Sequence, residues 1–214
     1  MNGTSCGYVS YRINMGSQFL LAGLLGLSGM YGNLRAATSV STCREGFEVN
    51  AAGVRELALS VKPSEVRILG TPDKKVRVRC EGPAGRDPGQ TKIEWSGGVS
   101  SARLTIHGGG HNNYEFLIEV PESTDLTVRV KAGDVTVRGV AGNKDIEMMA
   151  GDLRIQLGRP DDYSTIDTSV RVGDLKAPAF GKNKGGFFRS FTRHYSRGKY
   201  KLHASLFAGS LRLE

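Results

Sequence analysis

The sequence predicts an all-β fold, and three of its features support that class. Glycine accounts for 29 of the 214 residues and proline for only 7, a composition that suits many tight corners between short strands. Apolar and polar residues alternate in several segments, as they do in half-buried strands. A Gly-Asp corner also recurs along the chain, which indicates stacked structural units. We therefore expect a single-domain β-solenoid or β-roll of stacked short strands.

The first 37 residues predict a signal peptide, so we expect a folded domain over residues 38–214. An uncharged apolar run extends from Phe19 to Tyr31, Arg12 precedes it, and the small residues Ala36 and Ala37 follow. This order is typical of a secretory signal with its cleavage site. The run is shorter than the ~20 residues that a spanning helix needs. Cleavage would leave no transmembrane domain, and an uncleaved N-terminal signal helix acting as an anchor is the alternative.

The three cysteines fit an exported chain. Cys6 lies in the leader and would be lost with it, which leaves Cys43 and Cys80. An even pair of cysteines in an oxidising compartment allows a disulfide. The sequence leaves open whether the two thiols meet or stay separate.

The recurring corner is the clearest repeat in the chain. Its glycines are spaced by 18, 22 and 36 residues, and the last interval is twice the first. The four corners are Gly133-Asp134, Gly151-Asp152, Gly173-Asp174 and Gly209-Ser210. We expect each glycine to adopt a positive φ, and each Asp or Ser side chain to bond a nearby backbone amide.

The residues around each corner predict strands on both sides of it. Leu126, Val128 and Val130 alternate with polar residues before the first corner, and Val135 and Val137 do so after it. The apolar phase slips by one residue at the corner, which requires a turn or bulge if one face is to stay buried. Each unit is therefore predicted to be strand, corner, strand, with one continuous apolar ladder through the stack. Strands are also predicted earlier, around residues 76–79, 104–107 and 116–120.

The C-terminal fifth carries the positive charge of the protein. No acidic residue lies between Asp174 and Glu214, and this stretch holds nine Lys and Arg residues against a net charge of +8 for the whole chain. Aromatic residues are interleaved with these cations. We select the following as candidates for binding an anionic surface: Phe187, Phe188, Arg189, Phe191, Arg193, Arg197, Lys199 and Lys201.

Two interpretations of this basic aromatic tail remain open. Cations beside aromatic rings suit anionic lipid or an acidic glycan of the envelope. Alternatively, the phenylalanines close the end of the stack while the charges stay solvated, because an open stack end must be covered. Nucleic acid uses the same residue types, but export argues against it as a partner.

Catalytic, cofactor and metal sites are not predicted. The chain offers no strand-to-helix context for a nucleophile elbow and no Gly-x-x-x-x-Gly-Lys-Ser/Thr phosphate loop. Each Gly-Asp corner supplies one carboxylate, whereas Ca²⁺ takes six to eight oxygen ligands. His107 and His111 flank three glycines and suit a polar hairpin tip better than a zinc site, which needs four ligands.

The chain resembles the bacterial β-strand-repeat family of adhesin-like proteins, which includes domains of unknown function. The residues that carry this resemblance are Ile118-Glu119-Val120-Pro121, Leu126-Thr127-Val128 and the repeated Gly-Asp corners. It extends over roughly residues 47–214 and departs at the last corner, where Ser210 replaces Asp. The resemblance implies a β-solenoid or roll, export, and no established catalytic residues.

These observations predict an exported, non-enzymatic cell-envelope protein that serves as a surface or binding scaffold. It would lie in the periplasm, at the outer-membrane surface or outside the cell. The first alternative is a structural or sensory envelope module that forms homo-oligomers through its sheet edges. The second is a periplasmic hydrolase on a β-helix, which would require paired carboxylates on one face.

Overall fold

The computed structural model describes residues 37–62, 64–82, 91–107 and 114–214. The predicted signal helix of residues 1–37 lies almost entirely outside these ranges. The described residues form thirteen strands and two short 3-10 helices, at Pro160–Asp162 and Pro178–Phe180. The strands are β1 (Ala37–Thr42), β2 (Phe47–Asn50), β3 (Glu56–Val61), β4 (Ser64–Thr71), β5 (Lys75–Glu81), β6 (Lys92–Gly97), β7 (Ser101–His107), β8 (Glu115–Pro121), β9 (Asp125–Arg138), β10 (Lys144–Ile155), β11 (Tyr163–Ala177), β12 (Lys182–His194) and β13 (Tyr200–Leu213).

All thirteen strands belong to one sheet with two branches that meet on β9. The first half of β9 pairs with β3, and its second half pairs with β4. One branch continues from β3 through β7 and β6 to β1, and the other from β4 through β8 and β5 to β2. Beyond β9 the order is β10, β13, β11 and β12. The all-β prediction is thus confirmed, but the sheet does not close on itself, so a closed β-solenoid or β-roll is not established.

Strands β9, β10, β13 and β11 are long because each continues through a corner. They pair in parallel, and this pairing aligns the four corner glycines in the order Gly133, Gly151, Gly209 and Gly173. All four have a positive φ, between 116° and 135°. A Cβ on Gly151 would lie 1.9 Å from the Gly133 carbonyl oxygen. Glycine is required here both by its backbone conformation and by the close approach of the neighbouring strand.

The 36-residue interval between the last two corners is occupied by a strand of opposite direction. Strand β12 pairs antiparallel with β11, with Gly186 opposite Gly173. The chain then returns as β13, which inserts between β10 and β11 rather than adding to the outer edge. The spatial order of the strands therefore departs from their order in the sequence.

The predicted alternation determines which side chains are buried. Leu126, Val128 and Val130 are buried before the corner of β9, and Val135 and Val137 are buried after it. The one-residue slip at the corner keeps both sets on the same side of the sheet. Burial continues through the neighbouring strands and gives one apolar core cluster.

The two branches are linked covalently at the end of the sheet opposite β12. Cys43, which follows β1, and Cys80, in β5, form a disulfide with a Cα–Cα distance of 5.5 Å. β1 and β5 lie on different branches. The bond therefore joins the two branches near their ends. There, the outer edges of β1 and β2 have no partner among the described strands. No helix in the described ranges is long and apolar enough to cross a membrane.

Candidate functional site

The basic aromatic tail begins in β12, which is an edge strand of the sheet. Phe191 is the one residue of β12 that is buried. Its ring packs against Phe180, with 4.9 Å between the ring centroids. Part of the tail therefore closes the end of the core, as the end-cap interpretation expects.

Phe187 and Phe188 instead point into solvent, with 67% and 78% of their surfaces exposed. They lie where β12 passes the corner of β11. The strand pairing there goes from Val170–Arg189 directly to Val172–Phe187. Phe188 occupies the skipped position with a φ of 52°. The adjacent Arg189 donates a hydrogen bond to the Gly185 carbonyl oxygen (2.7 Å), so its guanidinium is held at the corner.

The remaining cations of the tail are separated from this corner. Arg193 lies over the Tyr195 ring, at 5.4 Å from its centroid, and Lys199 lies over the Tyr200 ring at 5.1 Å. The exposed Arg197 lies in the turn before β13. Lys199 and Lys201 line a second groove whose wall also carries the carboxylates of Glu56, Asp125, Asp145 and Asp167. The eight candidate residues therefore do not form one cationic patch.

A larger groove of about 1010 Å³ runs across the strands beside the corners; we call it the corner groove. It crosses seven strands, in the order β7, β3, β9, β10, β13, β11 and β12. At ~4.8 Å between strands, that extent is roughly 29 Å. Of the eight tail candidates, it includes Phe188 and Arg189.

Two rows of outward-facing residues line the corner groove, one from each side of a buried row. The first row is polar, with five small hydroxyl residues and the ion-paired Arg129 and Glu147: Thr105, Ser60, Arg129, Glu147, Ser205, Ser169 and Ser190. The second row has long side chains: His107, Lys62, Lys131, Met149, Phe207, Arg171 and Phe188. Met149 and Phe207 are 61% and 48% exposed, so the second row presents apolar surface to solvent beside its cations.

The corner groove carries unbalanced positive charge. Arg129 is neutralised by Asp145 at 2.6 Å and by Glu147 at 3.2 Å. Lys62, Lys131 and Arg171 have no carboxylate partner within the described ranges. Arg171 instead lies over the Phe207 ring, 5.2 Å from its centroid. Cations, exposed rings and small hydroxyl side chains are thus combined on one surface.

The second groove contains a buried lysine. Lys144 is 2% exposed and stands in register with Leu126 and Leu202. Its ammonium group donates hydrogen bonds to the Gly142 carbonyl oxygen (3.0 Å) and to the Tyr163 hydroxyl. Burial lowers the pKa of Lys144 to about 8, against the attraction of Asp125. Burial also raises the pKa of the Tyr163 phenol to about 12.

Two of the corner carboxylates take part in exposed ion pairs. Among the described residues, Asp152 lies 3.9 Å from Arg154 and Asp174 lies 3.4 Å from Lys176, in exposed ion pairs. No group of three or more His, Cys, Asp or Glu residues in the described ranges is placed to hold a metal ion. His107 contacts Glu94 (3.0 Å), and His111 lies outside the described residues.

Sequence reasoning missed Lys131, Met149, Arg171 and Phe207. Each lies two residues before a corner glycine, so aligning the four repeats would have placed them in one column. Their mixed chemistry concealed that column, because neither a charge pattern nor a hydrophobic pattern selects all four. The basic aromatic tail, in contrast, can be found from the sequence because its charges lie close together in the chain.

Comparisons with known proteins support the fold and little more. No protein-family model matches the sequence, and no curated protein matches it. A solved structure from Clostridium sporogenes, described as a putative cell adhesion protein, is similar, with a TM-score of 0.51 and 11% identity. The similarity covers 84% of this chain and 99% of that one. At 11% identity, this similarity indicates a shared fold and nothing about a shared function.

Proposed function

We propose that this protein is an exported, non-enzymatic component of the cell envelope whose β-stack is a scaffold for binding an anionic envelope component. The observation that carries the proposal is the positively charged, partly aromatic surface where β12 passes the corner groove. Phe187, Phe188 and Arg189 lie there, beside Arg171 on the neighbouring strand β11, and Lys131 lies farther along the same groove on β9. We further propose that the stacked, aligned corners constitute a β-solenoid.

Three features support the proposal of an exported scaffold. The strands of the stack pair along their whole length, and their corners leave little room for movement because adjacent backbones approach closely. A rigid support lowers the entropy cost of presenting a binding surface. The Cys43–Cys80 disulfide is typical of an oxidising compartment. The similar fold of a protein described as a cell adhesion protein is compatible with the same role.

The first experiment compares binding to phosphatidylglycerol-containing vesicles and to vesicles of phosphatidylcholine alone, with purified envelope polysaccharide as a third target. The protein is purified after expression of the full chain. We expect salt-sensitive binding to the anionic vesicles or to the polysaccharide, because opposite charges attract less at high ionic strength. The triple variant Lys131→Gln, Arg171→Gln, Arg189→Gln removes three cations of this surface and should bind at least tenfold more weakly.

A matched variant controls for net charge. Lys74→Gln, Lys92→Gln, Arg103→Gln removes three exposed cations outside β12 and the corner groove. It should retain wild-type binding. Equal losses in the two variants would reduce the effect to net charge and contradict a localised surface. Absence of binding by the wild type, together with a mass that rises with concentration in light scattering, would favour self-association through sheet edges.

Export is tested separately by fractionating cells that produce the full chain. We expect the protein outside the cytoplasm and shortened by about 37 residues, as a signal-peptide cleavage would require. Deleting residues 19–31 should retain it in the cytoplasm. A wild-type protein found only in the cytoplasm at full length would refute export.

A further inference from the structure

We propose that the corner groove binds a single anionic amphiphile, a molecule with one acyl chain and a phosphate-bearing head group, lying across the strands. This inference rests on the proposed function for its setting, since it names the chemical class of the envelope component. It adds a defined site that binds one amphiphile per chain. Contact with a lipid surface requires neither a defined site nor a fixed stoichiometry.

The apolar part of the site is the end of the groove near β12. Met149, Phe207 and Phe188 come from three strands of the same stack, and none of them is a core residue. Ser205, Ser169 and Ser190 lie in the opposite row on the neighbouring strands β13, β11 and β12, two of which also carry Phe207 and Phe188. Small hydroxyl side chains face this row, in which Arg171 lies between Phe207 and Phe188 with its guanidinium over the Phe207 ring. A narrow acyl chain along the row can therefore contact the apolar surface of Met149, Phe207 and Phe188.

The charged part of the site is defined by cations that the protein itself leaves unpaired. Lys131 and Lys62 continue the second row beyond Met149, and Arg171 lies within it. Among the described residues, Glu147 is the one carboxylate that lines this groove, and it is already paired with Arg129. A phosphate near Lys62 and Lys131, which directly follow the paired Val61 and Val130 on neighbouring strands, would therefore meet positive charge without an acidic competitor among the described residues.

Charge and apolar surface together select the ligand class. An acidic glycan would complement the cations but leave Met149 and Phe207 exposed. A neutral lipid would cover the apolar residues but leave Lys131 and Arg171 unpaired. An amphiphile with an anionic head satisfies both, and exposed apolar surface rimmed by polar groups is typical of ligand-binding grooves.

The test is calorimetric titration of the protein, purified after expression of the full chain, with palmitoyl lysophosphatidylglycerol below its micelle-forming concentration. We expect saturable binding of one molecule per chain. Lysophosphatidylcholine with the same acyl chain should bind at least tenfold more weakly, because its head group carries no net charge. Glycerol phosphate, which lacks the chain, should not bind measurably.

Variants assign the binding to the corner groove. Phe207→Ser and Met149→Ser should each weaken lysophosphatidylglycerol binding at least tenfold. Val99→Ser is the matched control, since Val99 is an exposed apolar residue that does not line the groove, and it should change the affinity less than twofold. Lys62→Gln with Lys131→Gln should reduce the preference for the anionic lipid to less than threefold. Circular dichroism of each variant verifies that it is folded.

Each contrary result overturns the inference in a distinguishable way. Equal affinity for the two lysolipids would remove the role of charge, and unchanged binding by Phe207→Ser would place the ligand elsewhere. No lysolipid binding, combined with anionic-vesicle binding that the Lys131, Arg171 and Arg189 triple variant weakens, would refute a site for a single amphiphile and leave the proposed function intact. No binding of lysolipid, vesicle or polysaccharide would refute both.

Discussion

At the scale of single residues, Lys144 is the one charged side chain that is buried within the described ranges. Its neighbours in register are leucines, and no carboxylate in the described ranges lies within hydrogen-bonding distance of its ammonium group. A buried charge that is not paired with an opposite one destabilises the folded state. Lys144 therefore lowers stability at neutral pH while giving polar character to the wall of the second groove.

The pH dependence of stability follows from the pKa of Lys144. In the folded chain this pKa is about 8, below the value of 10.5 for a free lysine. Between pH 8 and 10 the unfolded chain keeps a proton that the folded chain has lost, so the free energy of unfolding should rise, by about 2–3 kcal/mol. Above about pH 10 the raised pKa of Tyr163 reverses the trend, because the unfolded phenol ionises first.

The substitution Lys144→Met tests this account by urea denaturation at pH 7 and at pH 9.5. It should raise the free energy of unfolding at pH 7 by about 1–2 kcal/mol, since a buried charge is replaced by an apolar chain of similar length. It should also abolish the rise between pH 8 and 10. A lower stability of the variant at pH 7 would contradict the view that the buried charge of Lys144 is destabilising. The same rise in the free energy of unfolding between pH 8 and 10 in both proteins would show that Lys144 does not cause it.

At the scale of the structural element, the corner depends on its glycines. Gly151 has a φ of 116°, and an added Cβ would lie 1.9 Å from the Gly133 oxygen. Gly151→Ala should therefore lower the free energy of unfolding by at least about 3 kcal/mol, from backbone strain and displacement of the neighbouring strand. Gly158 is the control, because it also has a positive φ, of 69°, but open space around it.

Urea denaturation of both variants measures the difference. Gly158→Ala should cost about 1 kcal/mol, since only the backbone conformation is disfavoured. Similar losses at the two positions would mean that the close approach of adjacent corners contributes nothing. In that case positive φ alone would explain why glycine recurs in the stack.

At the scale of the whole molecule, the sheet has one end closed by side-chain packing and another stabilised by a covalent bond. Phe191 and Phe180 cover the core beside β12. At the far end, Trp95 packs near Phe47 at 5.9 Å between ring centroids, and the Cys43–Cys80 bond joins the two branches. The corner groove begins at β7, inward from this disulfide-bonded end.

The double variant Cys43→Ala, Cys80→Ala should lower the free energy of unfolding by about 2–4 kcal/mol. The bond spans 37 residues, and closing a loop of that length restricts the unfolded chain. The fluorescence of Trp95, the single tryptophan, follows unfolding at this end. Lysolipid binding in the corner groove should be unchanged, because neither cysteine lines the groove. Loss of binding would show that the two ends are coupled.

Local sequence pattern determined the fold class and the corners. Alternation at Leu126, Val128 and Val130 predicts a half-buried strand because side chains alternate between the two faces of a strand. The slip of phase at each Gly-Asp pair predicts a bend for the same reason. These are properties of a few neighbouring residues, so no knowledge of distant contacts is needed to derive them.

Tertiary structure decided which residues share a surface. The insertion of β13 between β10 and β11 brings Phe207 next to Met149 and Arg171, which are 58 and 36 residues away in the chain. It also separates Lys199 and Lys201 from Arg189, although the tail is continuous in sequence. Strand pairing depends on long-range register, and a sequence pattern specifies faces but not neighbours. The corner groove therefore exists only in the folded stack, whereas the strands and corners that build it are determined by the sequence itself.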